Sequence, residues 1–351
     1  MHFAFDEDQL EFRAQLRSLL DKECTPADVR HAWASPLGWS PQRWHHLAAM
    51  GVVGITVPVE HGGLGLGLVD VVLLLEEAGR AGLPEPLLET TVLGTPLLVD
   101  APGPAAAELR GRWLGPVAAG DAVIAVGTAA TATVQGAAGA DLLLLEAPAD
   151  ARGRAGAGSA LHAVIPDAVS VEEGRALDGS RRPARVSWEP SPATLVASGA
   201  AGADLVARLG DRAAMGSAAV LVGVADRLIA SAAHYASGRT QFGRPIGSFQ
   251  AVKHLLADAL VRVEFARPAV YRAAWSLWRG EPRASLHASM AKAMASDAAV
   301  LAARTALQVH GAIGYTWEHD LHLWMKRAWA LAAAWGDAAF HRARVLELLT
   351  G

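Results

Sequence analysis

The sequence has one cysteine, Cys24, among 351 residues. A single thiol cannot form an internal disulfide, and a lone cysteine is more typical of a reducing compartment than of secreted proteins. The N-terminal residues MHFAFDEDQLEF carry acids where a signal peptide carries bases, and no uninterrupted apolar run is long enough to cross a bilayer. We therefore predict a cytoplasmic protein without a membrane segment.

The sequence also lacks a large excess of positive or negative charge. The net charge is -4, and 19% of the residues are charged while 52% are hydrophobic. This composition excludes an intrinsically disordered chain and provides no basic surplus for binding nucleic acid. A chain of this length buries a large core, and we expect it to divide into two or three domains.

Several catalytic and binding motifs are absent from the sequence. There is no Gly-x-Ser-x-Gly elbow, no Walker loop and no cysteine–histidine pair suited to nucleophilic catalysis. The glycine run at residues 61–67 imitates a dinucleotide-binding loop, but Leu68 stands where the third glycine is required, which favours a tight structural turn. The acidic and histidine residues at 318–322 are better explained by a charged helix start than by a metal site.

Apolar residues at helical spacing dominate both ends of the chain. The predicted helices cover residues 5–24, 41–50, 69–81, 87–98, 213–234, 285–310, 318–334 and 338–349, with a further helix after Ser248. Residues 52–59 fit either a short strand or an extended connection. The four principal helices of the last part predict an antiparallel bundle.

The middle of the chain has a different pattern. Short apolar runs at 122–126, 141–145, 160–165 and 184–188 are separated by turn residues and predict a small antiparallel sheet. The alanine- and glycine-rich residues 150–159 predict a flexible turn. The expected fold is α+β but mainly α, with an N-terminal helical domain at residues 1–113, a reduced β domain at 114–195 and a helical bundle domain at 196–351.

Two long helices of the last part are joined by a loop rich in glycine and arginine, residues 235–250. Gly238 ends the first helix, and Ser248 offers a hydroxyl N-cap to the second. Arg239, Arg244 and Lys253 place cationic groups near the helix ends, where they suit a phosphate or pyrophosphate. A solvated basic turn is the simpler interpretation of this stretch alone.

Longer motifs identify a family. The segment RTQFGRPIGSFQAVKHLLADA at 239–259, together with QVHGAIGYT at 308–316, resembles the C-terminal helical domain of the acyl-CoA dehydrogenases. Residues 5–24 and 44–67 resemble the N-terminal helical domain of that family, in the same order, while the resemblance is weakest at 115–195. It implies an oxidoreductase that desaturates acyl-CoA thioesters with FAD and passes electrons to an electron-transfer flavoprotein.

The resemblance also implies a cofactor site. In the family, an R-x-x-F-G motif, a glutamine after the next turn and a Q-x-H-G-G stretch contact the FAD of the neighbouring subunit. Arginine and glutamine supply donors to a pyrophosphate, and glycine permits close backbone approach. The matching residues are Arg239, Phe242, Gln250, Gln308, Val309, His310, Gly311 and Ala312.

Two expected features of the family are missing. The threonine- and proline-rich segment with which a subunit holds its own flavin has no counterpart at 125–141, where only Gly139 and Asp141 match faintly. The usual position of the catalytic glutamate falls on Trp335, and tryptophan cannot abstract a proton. Asp211 and Asp337 lie near the two family positions of the base, although a helix-terminal or surface aspartate is the preferred interpretation of each.

Three functions remain open from the sequence. The first is a subunit of a heteromeric acyl-CoA dehydrogenase that completes its partner's FAD site and lacks a base, similar to the α2β2 actinobacterial enzymes acting on steroid side-chain CoA thioesters. The second is a homo-oligomeric dehydrogenase with a displaced carboxylate. The third is a non-catalytic acyl-CoA-binding or scaffold protein.

Overall fold

The computed structural model describes residues 4–147 and 159–350 of the chain. Its contacts divide the chain into two compact units. The first unit contains Met1–Arg30, Val72–Leu83 and Ala214–Gly351, and the second contains His31–Val71 and Pro84–Ala213. The turn predicted at residues 150–159 lies, except for its last residue, outside the described residues.

Helices form most of the described structure. They are α1 (Glu7–Glu23), α2 (Pro26–Ala34), α3 (Pro41–Ala49), α4 (Leu68–Ala81), α5 (Thr95–Asp100), α6 (Gly103–Ala119), α7 (Gly199–Gly238), α8 (Gln250–Arg279), α9 (Ala284–His310), α10 (Leu321–Ala333) and α11 (Ala338–Thr350), with a π-helix at Leu88–Gly94. Each predicted helix is present, and the mainly α fold is confirmed. Residues 52–59 form turns rather than a strand.

The C-terminal bundle of the first unit is built around α9. This helix packs against α8, α10 and α11. Its buried positions are mainly alanine and serine, which lets the neighbouring helices approach closely. Lys292 departs from this pattern, because its long cationic side chain lies on α9 with no exposed surface.

Two glycines bring α4 and α7 together within the first unit. A Cβ at Gly79 would overlap the carbonyl oxygen of Val220, and a Cβ at Gly223 would overlap that of Glu76. The two backbones therefore meet at a crossing where each helix lacks a side chain. Helix α7 is apolar and long enough to cross a membrane, but 83% of its most apolar window is buried within the protein, as expected of a core helix.

The strands belong to three small sheets. They are β1 (Ile124–Gly127), β2 (Val134–Gln135), β3 (Leu142–Ala147), β4 (Ala160–Val164), β5 (Ser170–Glu173), β6 (Pro183–Ser187), β7 (Leu195–Ala197), β8 (Thr240–Gln241) and β9 (Arg244–Pro245). The second unit holds a four-stranded sheet in the order β1-β3-β4-β7 and a three-stranded sheet in the order β2-β6-β5.

The prediction of one antiparallel sheet is wrong in two respects. There are two sheets in this region, and β1 runs parallel to β3, with Ile124 opposite Leu142. The connection between these strands, residues 128–141, is long enough for the crossover that a parallel pair requires. The short strand β2 lies within that connection and pairs with β6 in the other sheet.

Candidate functional site

A short hairpin joins α7 to α8. Strands β8 and β9 pair antiparallel and leave Phe242 and Gly243 as the turn. Both turn residues have positive φ, 54° and 77°, as a type I′ hairpin requires. At the base of the hairpin the Arg239 N–H donates to the Tyr235 carbonyl (2.9 Å), and the Ile246 N–H donates to the Arg239 carbonyl (2.8 Å).

Phe242 is held at the tip of this hairpin in an unfavourable conformation. The left-handed region costs a residue with a Cβ about 1–2 kcal/mol, and Phe242 is 92% exposed. Beside it, the Arg244 guanidinium lies 4.2 Å from the centre of the Phe249 ring. Strained, exposed residues of this kind cluster at ligand-binding sites. The hairpin therefore has the features of a contact surface.

The N-terminus of α8 has no side-chain cap. The predicted cap, Ser248, is wrong, because Ser248 belongs to a 3-10 turn and Phe249 occupies the N-cap position without a side-chain hydrogen bond. Within the described residues the exposed Arg239 side chain has no hydrogen-bonding or ion-pair partner. Uncapped N–H groups near an unpaired guanidinium are suited to binding an anion such as a phosphate.

The second predicted segment lies at the end of α9. Gln308 is exposed, Val309 and His310 are buried, and Gly311 and Ala312 are exposed again in a 3-10 turn, Gly311–Tyr315. Gly311 has φ 64° and ψ −140°, a region that is essentially open to glycine alone. The segment thus combines an exposed amide side chain with a backbone that no other residue adopts readily.

An aromatic cluster brings the two segments together. The Tyr235 ring stacks on the His310 ring with centroids 4.4 Å apart and an interplanar angle of 22°. His319 lies edge-on to His310 at 4.7 Å. The base of the hairpin is therefore a neighbour of the 308–312 segment.

His310 is fixed in its position and tautomer. Its Nδ1 lies 2.7 Å from the Ala306 carbonyl oxygen, so Nδ1 carries the proton and donates. Burial lowers the pKa of His310, and the nearby His319 lowers it further, against the opposing effect of the Ala306 hydrogen bond. The imidazole is therefore neutral near pH 7, with Nε2 as a hydrogen-bond acceptor.

The turn between α10 and α11 contains Trp335. Trp335 and Gly336 both have positive φ, 58° and 92°. The His341 Nε2–H donates to the Trp335 carbonyl oxygen (2.9 Å), and Lys292 Nζ donates to the Gly336 carbonyl oxygen (3.0 Å). This turn is thus held at two successive carbonyls.

Lys292 was not anticipated from the sequence. Its Nζ also contacts Leu331 O (3.0 Å), Ala332 O (3.1 Å) and Ser296 Oγ (3.1 Å), so the ammonium caps the end of α10. Burial lowers the pKa of Lys292 to about 8, although the Asp337 carboxylate opposes this shift. A lysine within an alanine-rich helix gives no sequence signal that separates it from a solvated one.

The two candidate carboxylates differ in their surroundings. Asp337 is exposed, and its Oδ1 accepts the Phe340 N–H (2.8 Å), which makes it the N-cap of α11. Asp211 is buried in the interior of α7, in the second unit, so its interpretation as a helix-terminal or surface aspartate is wrong. Asp141 is one of the two residues that faintly match the segment with which a subunit of the family holds its own flavin. Its side chain accepts the Val123 N–H (2.8 Å). Asp337 and Asp141 therefore have structural partners.

Comparison with known proteins identifies the family. Residues 201–349 match the C-terminal domain of acyl-CoA dehydrogenases, and residues 6–121 match the N-terminal domain. The chain is 34% identical to acyl-CoA dehydrogenase IpdE2 of Mycobacterium tuberculosis over 323 residues, covering 92% of this chain and 91% of that protein. This chain belongs to the acyl-CoA dehydrogenase family. Membership confirms FAD as the cofactor and an oxidoreductase activity on acyl-CoA.

Two further comparisons are informative. Acyl-CoA dehydrogenase FadE34 of Mycobacterium tuberculosis is 36% identical over 309 residues, which are 86% of this chain and 41% of FadE34. One chain of the ChsE4–ChsE5 complex from the same organism superposes on this chain with a TM-score of 0.86 at 26% identity. The match covers 99% of this chain and 99% of that chain. The family resemblance seen in the motifs therefore extends across the fold.

Proposed function

We propose that this acyl-CoA dehydrogenase chain works as the subunit of a heteromeric enzyme that completes the partner subunit's FAD site and lacks a catalytic base of its own. The observation that carries the proposal is the contrast between the FAD half-site, defined as the hairpin and the 308–312 segment, and the turn that contains Trp335. The hairpin with Arg239 and Phe242 is exposed, and on the sequence motifs we align Trp335, which cannot act as a base, with the family's usual position of the catalytic glutamate.

The residues of the hairpin and of the 308–312 segment fit FAD. Arg239 and the uncapped N–H groups of α8 would hold the pyrophosphate, and the exposed Phe242 ring offers a surface for a planar base. Gln250 and Gln308 add amide donors, and Gly311 allows the backbone to approach closely. FAD would supply the acceptor for the hydride from the acyl β-carbon, and these residues would hold and orient the cofactor.

We assign proton abstraction to the partner subunit. Trp335 has no basic group, and the Asp337 carboxylate is engaged as a helix cap. Two relatives support a paired arrangement. ChsE4–ChsE5 is a complex of two proteins, and more than half of FadE34 lies outside the match, a length with room for a second chain of this size.

The outer face of α8 supports association with another subunit. Large apolar side chains are exposed along it: Leu255, Leu260, Val261, Phe265, Trp275 and Trp278. A surface groove of about 670 Å³ lies between α8 and α9 and is lined in part by Val261, Phe265 and Leu301. An apolar face of this length on a helical bundle favours contact with another protein.

The narrower parts of the proposal rest on the family motifs. We propose an acyl-CoA thioester as the substrate, with a steroid side chain as the acyl group, and an electron-transfer flavoprotein as the acceptor. The location we propose is the cytoplasm. A homo-oligomer with a displaced carboxylate and a non-catalytic acyl-CoA-binding protein are the competing functions.

Counting FAD per chain separates these functions. The chain should be purified alone and after co-expression with dehydrogenase-like chains encoded beside it. We expect a colourless protein alone and one FAD per two chains in the complex. One FAD per chain in the protein purified alone would establish the homo-oligomer, and the absence of FAD from every combination would favour the non-catalytic protein.

An arginine variant tests the half-site directly. Arg239→Ala should lower the FAD content of the complex, because it removes the guanidinium assigned to the pyrophosphate. Arg283→Ala, at the exposed N-cap of α9 and beyond the far end of α8, is the matched control and should leave the FAD content unchanged. Equal FAD occupancy and release rates in both variants would show that Arg239 has no role in cofactor binding.

A further inference from the structure

We propose that Tyr235 is a positioning residue for the FAD half-site and that it acts through His310 and the backbone of Arg239. The inference rests on the proposed function, because it concerns the same hairpin and the same 308–312 segment. It adds a residue that lies outside the motif positions and shows how two segments distant in sequence are held as one surface.

Tyr235 connects the hairpin to the end of α7. Its carbonyl oxygen accepts the Arg239 N–H at 2.9 Å, and Arg239 in turn accepts the Ile246 N–H at 2.8 Å. The adjacent Ala236 is buried and lies close to Gly247, where a Cβ would be 3.1 Å from the Ala236 carbonyl oxygen. The position of the Tyr235 backbone therefore sets the position of both hairpin strands.

The side chain of Tyr235 reaches the second segment. Its ring stacks on His310 at 4.4 Å, and His310 is the residue directly before Gly311. His310 is only 5% exposed and is held by the Ala306 carbonyl and by packing close to Gly314. One tyrosine thus touches the hairpin through its main chain and the 308–312 segment through its ring.

The hairpin depends on such a support because it is short and exposed. Its strands have two residues each, and every residue from Ser237 to Pro245 is exposed. A two-stranded hairpin of this size is not stable by itself. An aromatic stack contributes about 0.5–1.5 kcal/mol beyond burial, which corresponds to an approximately two- to tenfold change in an equilibrium constant.

The test uses the assembled complex and FAD itself. Tyr235→Leu removes the ring, while Tyr235→Phe keeps the stack and loses only the hydroxyl. We expect Tyr235→Leu to raise the Kd for FAD by about two- to tenfold, measured by flavin fluorescence on FAD-stripped complex. Tyr235→Phe should bind FAD as the natural chain does. If FAD binding is equally weak in both variants, the effect comes from the loss of the hydroxyl and not of the stack. That result would overturn the stacking role.

A double-mutant cycle shows whether Tyr235 acts through Arg239. If the ring positions the guanidinium, Tyr235→Leu should change the Kd less in the Arg239→Ala chain than in the natural chain. Fully additive effects would overturn this route. His310→Leu removes the stack from its other side, so it tests the same contact if Tyr235→Leu does not assemble, and an unchanged Kd in that variant would also overturn the proposal.

The outcome separates this inference from the proposed function. A complex of the natural chain that binds no FAD would refute the proposed function, and an unchanged Kd for FAD in Arg239→Ala would refute the assignment of Arg239 to the cofactor. A complex that binds FAD, loses affinity with Arg239→Ala and keeps full affinity with Tyr235→Leu would refute the positioning role alone. Hydrogen exchange at residues 239–249 provides a second measure, which we expect to be faster in Tyr235→Leu than in Tyr235→Phe.

Discussion

The surroundings of Asp337 bear directly on whether this chain carries a catalytic base. Its Oδ1 accepts the Phe340 N–H, so the carboxylate satisfies a backbone donor at the start of α11. It also lies next to Gly336, whose carbonyl oxygen is held by Lys292. A helix cap on a fixed turn explains this aspartate without a catalytic role.

We predict that Asp337→Asn leaves turnover of the complex within about an order of magnitude, whereas loss of a general base removes about 10²- to 10⁴-fold. Asparagine also caps helices, so the fold should be retained. Substrate-dependent flavin bleaching is the measurement, on complexes with equal FAD content. If bleaching is lost in such a complex, this chain carries a relocated base and the proposed division of labour is wrong.

Lys292 gives a second prediction at the residue scale. Replacing it by methionine keeps the volume but leaves the carbonyls of Leu331, Ala332 and Gly336 without their donor. We expect Lys292→Met to destabilise the chain by about 2–4 kcal/mol near pH 9, from the cost of buried acceptors that lose their partner. The midpoint of urea denaturation measures this change.

The stability difference should also depend on pH. The pKa of Lys292 is about 8 in the folded chain, below the 10.5 of an ordinary lysine. Between these values the unfolded chain binds more protons, so the natural chain gains stability as pH rises from about 8 to 10.5 and loses it as pH falls through 8. The gap between Lys292→Met and the natural chain should therefore widen from pH 7 to pH 10. A gap independent of pH would contradict the shifted pKa.

At the residue scale, the sequence predicts which side chains could take part in a site better than it predicts their burial and contacts. The motif residues Arg239 and Gln308 could be proposed from letters alone because the family motif is local. The burial of Lys292 and the stack on Tyr235 depend on contacts between residues that are 39 or more positions apart and on ring geometry, which no local pattern encodes.

At the scale of elements, the crossing of α4 and α7 makes the strongest prediction. Gly223→Ala places a methyl group against the carbonyl oxygen of Glu76, on helices that cannot separate without losing buried contacts. We expect a destabilisation of about 1–3 kcal/mol or more, as for overpacked cores. Thermal denaturation of the purified chain measures it.

Gly210→Ala is the control on the same helix. A Cβ at Gly210 meets no atom within 4 Å, so the substitution should stabilise α7 by about 0.5–1 kcal/mol through a better helix propensity. Opposite signs for the two variants are expected. Equal effects at Gly210 and Gly223 would mean that the crossing tolerates a side chain.

Element types were more predictable than their partners and ends. Helical spacing located the helices, because a buried face repeats along each of them. The parallel pairing of β1 with β3 could not be predicted, since a short apolar run marks a strand but not its direction. The cap of α8 was misplaced by one residue because the 3-10 turn at Ile246–Ser248 delays the helix start.

For the whole molecule, the proposed function predicts a link between cofactor and assembly. If FAD contacts both subunits, saturating FAD should tighten the association of the two chains, since a ligand bound across an interface favours the associated state. Sedimentation of FAD-stripped complex with and without added FAD measures the subunit Kd. Arg239→Ala should reduce the effect, while an unchanged Kd would indicate FAD held by one chain alone.

The sequence predicted the fold class and the family at this scale because the motifs cover both ends of the chain. The three domains at 1–113, 114–195 and 196–351 remain a prediction. In the structure, Met1–Arg30 and Val72–Leu83 belong to the same compact unit as the C-terminal part. Such groupings depend on packing between segments that are distant in sequence. This packing cannot be deduced from the linear order of helices and strands.

The burial of Lys292 has a consequence for chemical labelling. The chain has four lysines, and Lys292, with its pKa lowered to about 8, would be a good nucleophile toward thioesters and other acylating reagents if it were accessible. It has no exposed surface, so a reagent reaches its amine only when the turn between α10 and α11 opens. The extent of acylation at Lys292, measured by mass spectrometry, therefore reports how often the turn between α10 and α11 opens.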